Sequence, residues 1–386
     1  MQIVADENIP YVREAFADLG DVRTVSGREL HAEQVIDADV LLVRSVTAVN
    51  RELLSGSRVR FVGTATIGTD HIDVDWLRAN QIAFASAPGC NAVSAAEYVI
   101  SSLLVLAQQD NFRLTDKTVG IIGCGNVGSR VYQRLQTLGV TCLCHDPPLA
   151  AQNPKDTHRV WVDRATVLQA DILTVHVPLT LSGEYATAQL INTDFLKKVS
   201  DRVILFNTSR GRVLDEVALQ QAWLQQKQRV AVLDVWRGEP HLNPQTVALA
   251  RLATPHIAGY SFDGKVRGTR LLAEAIYGYF GQSLRWQVSL PEPAITELHF
   301  SDHISDEQAL YYAATACYDP RRDDAALRHS ITREDAGLAF DQLRKYYPLR
   351  REFASLHLTI PTHRHALIEQ LRGLGFRVNG WGEVLV

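Results

Sequence analysis

Along the first eighty-five residues, short apolar runs rich in β-branched side chains alternate with amphipathic stretches. The runs are Ile3-Val4-Ala5, Val40 to Val43, Val59 to Val62 and Ile82 to Ala85. Runs of that length between turn residues predict strands, and their spacing predicts a first domain built of βα repeats. From Asn91 to Ala107 the apolar positions recur at helical spacing behind Pro88-Gly89, which predicts a helix crossing between two domains. A second βα series follows at Thr118 to Ile122, Val140 to His145, Ile172 to Val177, Val203 to Phe206 and Val230 to Val235. These runs are apolar at consecutive positions, as in strands buried on both faces of a parallel sheet. A helix over Leu271 to Phe280 leads to Pro291-Glu-Pro293, which reads as a linker to a separate last segment. There the pattern predicts a helix at Asp335 to Tyr346, a strand at Leu356 to Ile360, a helix at His365 to Leu371 and a strand near Phe376 to Val378.

At 386 residues the chain exceeds one domain of roughly 150. Its 46% hydrophobic and 21% charged residues are the ordinary globular mix, with ample material for buried cores. A net charge of -4 disfavours nucleic acid as a partner. The longest apolar stretch, Val99 to Ala107, is too short for a membrane span, and the N-terminus lacks the basic start of a signal peptide. Cys90, Cys124, Cys142, Cys144 and Cys317 form no CxxC pair, so neither a zinc site nor a disulfide framework is expected and a reducing cytoplasm fits. No metal is expected.

The chemistry begins where the strand at Thr118 runs into Gly123-Cys-Gly125-Asn126-Val127-Gly128. In a GxGxxG at a strand-to-helix turn, Gly123 permits the tight turn, Gly125 admits a pyrophosphate to the backbone and Gly128 lets the helix approach the sheet. The helix N-terminus offers free N–H groups to the diphosphate. The next strand ends in Asp146, 18 residues beyond Gly128, where an acid can accept hydrogen bonds from both adenosine ribose hydroxyls. It would repel a 2′-phosphate, and no Arg or Lys follows before Lys155, so NAD is expected rather than NADP.

Three later strand ends carry polar residues, at the edge where a doubly wound sheet binds its ligands. They are Asn207-Thr208-Ser209-Arg210-Gly211, Asp234-Val-Trp-Arg-Gly-Glu239-Pro240 and Thr254-Pro-His256-Ile-Ala-Gly259-Tyr260. Each residue alone has an ordinary structural use; in this order behind a dinucleotide fold they suit hydride transfer from an alcohol carbon. The planar fork of Arg210 pairs with a substrate carboxylate. The His256 imidazole can move the hydroxyl proton, while Glu239 would hold its other ring nitrogen.

Together these motifs, over about Val59 to Phe280, resemble the D-isomer-specific 2-hydroxyacid dehydrogenases. The resemblance implies an α/β fold with two doubly wound parallel-sheet domains of Rossmann/flavodoxin-like type plus a small α+β C-terminal dimerisation domain. It places a substrate (lid) domain at residues 1–95 and 262–285, an NAD-binding Rossmann domain at 96–261 and the dimerisation domain at 286–386. Further stretches resemble one branch that acts on 4-phospho-D-erythronate: Ala5 to Pro10, Val43 to Thr47, Gly63 to His71, Gly89-Cys-Asn91 and Gly259 to Lys265.

Carried over by position, Arg210 and Glu239 are the catalytic pair and His256 the proton donor/acceptor. Gly123, Gly125, Asn126, Val127, Gly128, Asp146, Thr174, Thr208, Ser209, Asp234 and Gly259 correspond to NAD contacts. Ser45, Thr66 and Tyr260 correspond to substrate contacts, and a cytoplasmic homodimer is implied. Arg44, Lys265 and Arg267 are either cations for the substrate phosphate or solvated surface charges. Two alternatives stay open: an acid one carbon shorter, with the last segment a regulatory serine-binding module, or an NADH-sensing regulator on the same fold.

Overall fold

A computed structural model describes residues 1–153, 155–225 and 229–381. The chain divides into two compact units, Met1–Asn91 with Ser261–Pro291, and Ala92–Tyr260 with Glu292–Val386.

The first unit holds five strands, β1 (Gln2–Asp6), β2 (Asp21–Val25), β3 (Val40–Val43), β4 (Phe61–Thr64) and β5 (Ala83–Ala85). All pair in parallel in the order β2-β1-β3-β4-β5. The strand order reverses between β1 and β3, so the ligand-binding crevice of such a sheet lies beyond their carboxyl ends. The apolar runs of β3 and β4 are buried throughout, as consecutive hydrophobic positions require. One face of the sheet packs on the helix Phe262–Tyr279, whose Leu272, Ala273, Ile276 and Tyr277 join Ile3, Phe16, Leu42 and Phe61 in a single core. That helix starts cleanly because the Ser261 hydroxyl accepts the Gly264 N–H at 2.9 Å. β2 was not legible: it is a half-exposed edge strand without an apolar run.

The second unit contains a six-stranded parallel sheet: β6 (Thr118–Ile122), β7 (Thr141–His145), β8 (Ile172–Val175), β9 (Ile204–Asn207), β10 (Val230–Leu233) and β11 (Leu252–Ala253). The order is β11-β10-β9-β8-β6-β7, with its reversal between β6 and β8. The expected helix after Asn91 spans Ala92–Gln109 and is apolar nearly all round, so it is core rather than surface. The last segment builds a three-stranded parallel sheet from β12 (Glu297–His299), β13 (His357–Pro361) and β14 (Arg377–Trp381).

This small sheet does not have a core of its own. Phe353, Leu358, Leu371 and Phe376 lie in the same buried cluster as Tyr98, Leu103 and Leu135, which is why the segment groups with the six-stranded sheet. Two helices there, Asp306–Cys317 and Pro320–Ser330, add to those read from the sequence. Among the described residues no helix is long and apolar enough to cross a membrane. All five cysteines are free thiols.

Candidate active site

The turn after β6 has the three-glycine geometry that a dinucleotide loop requires. Gly123 sits at φ +86°, where L side chains are strained, and a Cβ there would lie 2.8 Å from the His176 backbone. At Gly128 a Cβ would be 2.0 Å from the Gly123 carbonyl oxygen, so the helix Asn126–Thr137 can approach only without a side chain. A Cβ on Gly125 would meet nothing within 4 Å. The protein itself therefore gives Gly125 no steric reason to be glycine, and close approach of a phosphate does. Asn126 and Val127 open the helix and direct its first amides to that spot.

Asp146, just past β7, faces the same loop. Its Oδ2 accepts the Cys124 N–H at 2.8 Å, and its Oδ1 caps the next helix through the Leu149 N–H at 3.1 Å. A carboxylate oxygen has two lone pairs, so this bracing leaves capacity for ribose hydroxyls.

At the ends of β8 and β9, His176 joins two of the expected cofactor residues. Its Nε2 lies 2.8 Å from the Thr174 hydroxyl and its Nδ1 3.0 Å from that of Thr208. Burial pushes the ring down to about 3, so this histidine is a neutral strut between two strand ends. Thr174 is fully buried, and its hydroxyl is engaged by His176. The following loop is tied by Asn207, whose Oδ1 accepts the Ser209 N–H and hydroxyl at 3.1 and 2.7 Å while its Nδ2 donates to the Arg210 carbonyl at 3.2 Å. Arg210 itself is half-buried and donates to the Ser209 carbonyl at 2.9 Å.

Beside it, Gly211 touches the Asp234–Glu239 loop so closely that a Cβ would stand 1.9 Å from the Trp236 carbonyl oxygen. Two catalytic loops are thereby locked in register. The second is also held from below, where the Glu216 carboxylate accepts the Arg237 N–H at 2.9 Å.

Glu239 and His256 meet directly. His256 Nδ1 lies 2.7 Å from Glu239 Oε2, and Glu239 Oε1 accepts the Trp236 N–H at 2.9 Å. Burial alone would push the Glu239 carboxyl up; the His256 charge and hydrogen bond, with Arg344 and the Trp236 amide, outweigh it and hold it below its ordinary value. An ionised Glu239 keeps the proton on Nδ1 and leaves Nε2 as the working atom. His256 sits at φ +56°, in the left-handed region that a non-glycine residue enters only when its surroundings impose it.

Asp234 imposes it. Buried to 1% exposure, its carboxylate accepts the Thr254 hydroxyl at 2.6 Å, the Ile257 N–H at 2.8 Å and the Ala258 N–H at 2.9 Å. Burial, opposed by His256 and these donors, pushes its carboxyl up to about 6. From the other side Arg350 donates to the Ile257 and Ala258 carbonyls at 3.3 and 3.1 Å and to the Ser94 carbonyl at 2.8 Å. Gly259 and Tyr260 complete this loop, with the Tyr260 ring 5.7 Å from that of Tyr347.

In the first unit, Ser45 is exposed in the turn just past β3, and Thr66 lies beyond β4, the adjacent strand. The Thr66 hydroxyl interacts with that of Thr64 at 2.7 Å and donates to the Gly68 carbonyl at 3.0 Å. Both therefore stand at the carboxyl edge of their sheet. Arg267 donates to the Cys90 carbonyl at 2.9 Å. Sequence reasoning missed His176, Glu216, Arg344 and Arg350. His176 carried a signal, a polar residue at a strand end; the two arginines stand over eighty positions from the His256 loop they support and carried none.

A model of the D-isomer specific 2-hydroxyacid dehydrogenase NAD binding domain matches residues 101–258, and a domain of unknown function matches 289–375. The erythronate-4-phosphate dehydrogenase of Marinobacter nauticus is 44% identical over 98% of this chain and 100% of its own length. That of Pectobacterium carotovorum is 47% identical over 97% and 98%. Among solved structures, the NAD-bound 3-phosphoglycerate dehydrogenase of Entamoeba histolytica aligns with a TM-score of 0.62 at 24% identity, covering 75% of this chain and 99% of its own. The near-complete coverage by the sequence relatives, C-terminal segment included, places the chain in the erythronate-4-phosphate dehydrogenase family, within the D-isomer specific 2-hydroxyacid dehydrogenases.

Proposed function

We propose that the protein catalyses the NAD-dependent oxidation of 4-phospho-D-erythronate at C2, giving (R)-3-hydroxy-2-oxo-4-phosphobutanoate on the way to pyridoxal 5′-phosphate. The observation that carries the reading is the 2.7 Å Glu239–His256 couple, held on a strained loop behind a complete dinucleotide turn. NAD supplies the hydride acceptor when bound. Gly123, Gly125 and Gly128 with the amides of Asn126 and Val127 would receive its diphosphate, Asp146 the adenosine ribose, and Thr174, Thr208, Ser209, Asp234 and Gly259 the remainder.

His256 Nε2 takes the proton of the C2 hydroxyl, and Glu239 stabilises the imidazolium that forms. Arg210 pairs with the substrate carboxylate and polarises the C2 oxygen, while Ser45, Thr66 and Tyr260 orient the chain of the acid. Arg44, Lys265 and Arg267 are the cations to examine for the phosphate. The working form in this reading is a cytoplasmic homodimer. Exposed Tyr312, Leu338, Tyr346 and Leu349 in the last segment support an interface there, and sedimentation velocity tests it.

The decisive assay follows NADH formation by the full chain. Turnover is expected with 4-phospho-D-erythronate, with kcat/KM about 10–200-fold lower for 3-phosphoglycerate, which lacks one carbon. Arg210→Ala is expected to lower kcat/KM by about 10²–10³-fold, as loss of a preorganised donor does. Tight NADH binding without turnover of any phosphorylated hydroxy acid would replace this reading with that of a sensor.

A further inference from the structure

The last segment reaches the catalytic loop with two arginines, Arg350 buried and Arg344 half-buried. Arg350 ties the carbonyls of Ile257 and Ala258, immediately after His256. Arg344, in the last turn of the helix Ala336–Lys345, lies with its guanidinium carbon 5.5 Å from the Tyr260 ring centroid and 5.8 Å from that of Phe340. It is within hydrogen-bonding reach of the Tyr260 side chain and interacts electrostatically with Glu239. Its Nε is buried without a hydrogen-bond partner, so the group is held at the cost of one unmade bond.

We propose that Arg344 is a positioning residue of the reaction: it fixes Tyr260 and sets a positive charge beside the Glu239–His256 couple, which makes the C-terminal segment part of the catalytic apparatus. The proposal rests on the reading of Glu239 and His256 as the proton-transfer pair. The charged and titratable groups around that pair include Arg344, Asp234 and Arg350, and those around Arg344 include Glu239, Tyr260 and Asp341, with the His241 ring against its helix at Gly337. Removing the cation favours the protonated form of the pair, so the acid limb of the oxidation profile must move to higher pH.

The test uses the full chain with NAD and 4-phospho-D-erythronate, comparing the parent with Arg344→Gln, Arg344→Lys and His256→Asn. For Arg344→Gln, kcat/KM is expected to fall by about 10-fold or more, and its acid limb to shift upward by ~0.5–1 pH unit. Arg344→Lys retains the charge and is expected to keep the limb in place. NADH affinity, read by fluorescence titration, is expected to stay at the parent value in both, which shows that the dinucleotide unit is folded. An unmoved acid limb in Arg344→Gln overturns the proposal. So does a loss confined to KM for the phosphorylated acid, which would make Arg344 a substrate anchor. Parent-like turnover by His256→Asn removes the underlying reading as well, whereas an inactive His256→Asn beside an unmoved limb removes this proposal alone.

Discussion

At the scale of single residues the site depends on one carboxylate being ionised in the right place. Glu239→Gln preserves volume but sets an amide N–H₂ or a mismatched oxygen against His256 Nδ1 or the Trp236 amide, favouring the wrong ring tautomer. Its kcat/KM is expected to fall by ~10²–10⁴-fold with NADH affinity unchanged, measured by steady-state kinetics and titration. The same carboxyl affects stability with pH. Because its folded value is depressed, its contribution is complete above the ordinary 4.5 and is lost only as pH falls through the lower folded value. Arg210, Glu239 and His256 were legible as residue types at successive strand ends. The hydrogen bonds that engage Asp234 with the His256 loop, and Thr208 with His176, were not, because their partners are chosen by tertiary approach.

Among elements, the glycines separate fold from ligand. Gly128→Ala forces a Cβ to within 2.0 Å of a backbone oxygen and is expected to destabilise by about 1–3 kcal/mol in chemical denaturation. Gly125→Ala meets no protein atom within 4 Å, so its melting temperature is expected to match the parent while NADH affinity drops about 10-fold or more. If both variants melted alike and bound alike, the division of labour in this turn would be wrong. The strands of both large sheets were readable because parallel strands buried on two faces must be continuously apolar. The helices Asp306–Cys317 and Pro320–Ser330 went unread although their starts were marked, by Ser305 with Gln308 and by Asp319 before Pro320. Each buries a single Leu, Leu310 in the first and Leu327 in the second, beside Ala in the first and Pro320 and Ser330 in the second, so periodicity gave little contrast.

For the whole molecule, the last segment is joined to the six-stranded sheet by buried polar contacts as well as by core. Glu97 Oε1 accepts the Phe353 N–H at 3.0 Å and lies 3.8 Å from Arg134 Nη2. Burial first, then Glu352, pushes its carboxyl well above the ordinary 4.5, against the pull of Arg134 and Arg350. With the folded value raised, the native state keeps a proton that the unfolded chain has released. This contribution is full below 4.5 and is lost as pH rises toward the folded value, at up to about 1.4 kcal/mol per pH unit. Glu97→Gln is expected to flatten the fall in stability between about pH 5 and about pH 8, measured by urea melts. Arg350→Met removes one donor from each of three carbonyls, of which that of Ile257 still accepts the Tyr260 N–H at 2.8 Å, and is expected to cost ~3–5 kcal/mol by the same melts. Nothing in the sequence indicated this network, since its members come from four separate stretches of chain.

The helix Phe262–Tyr279 completes the core of a sheet whose strands end at Ala85. On a ribosome adding about 5–20 residues per second, the early strands must wait on the order of 10–40 s with one oily face open. Nascent chains of this length are therefore where a holdase chaperone would be needed most, and a synonymous codon change that slows the intervening stretch should lower soluble yield without altering the mature enzyme.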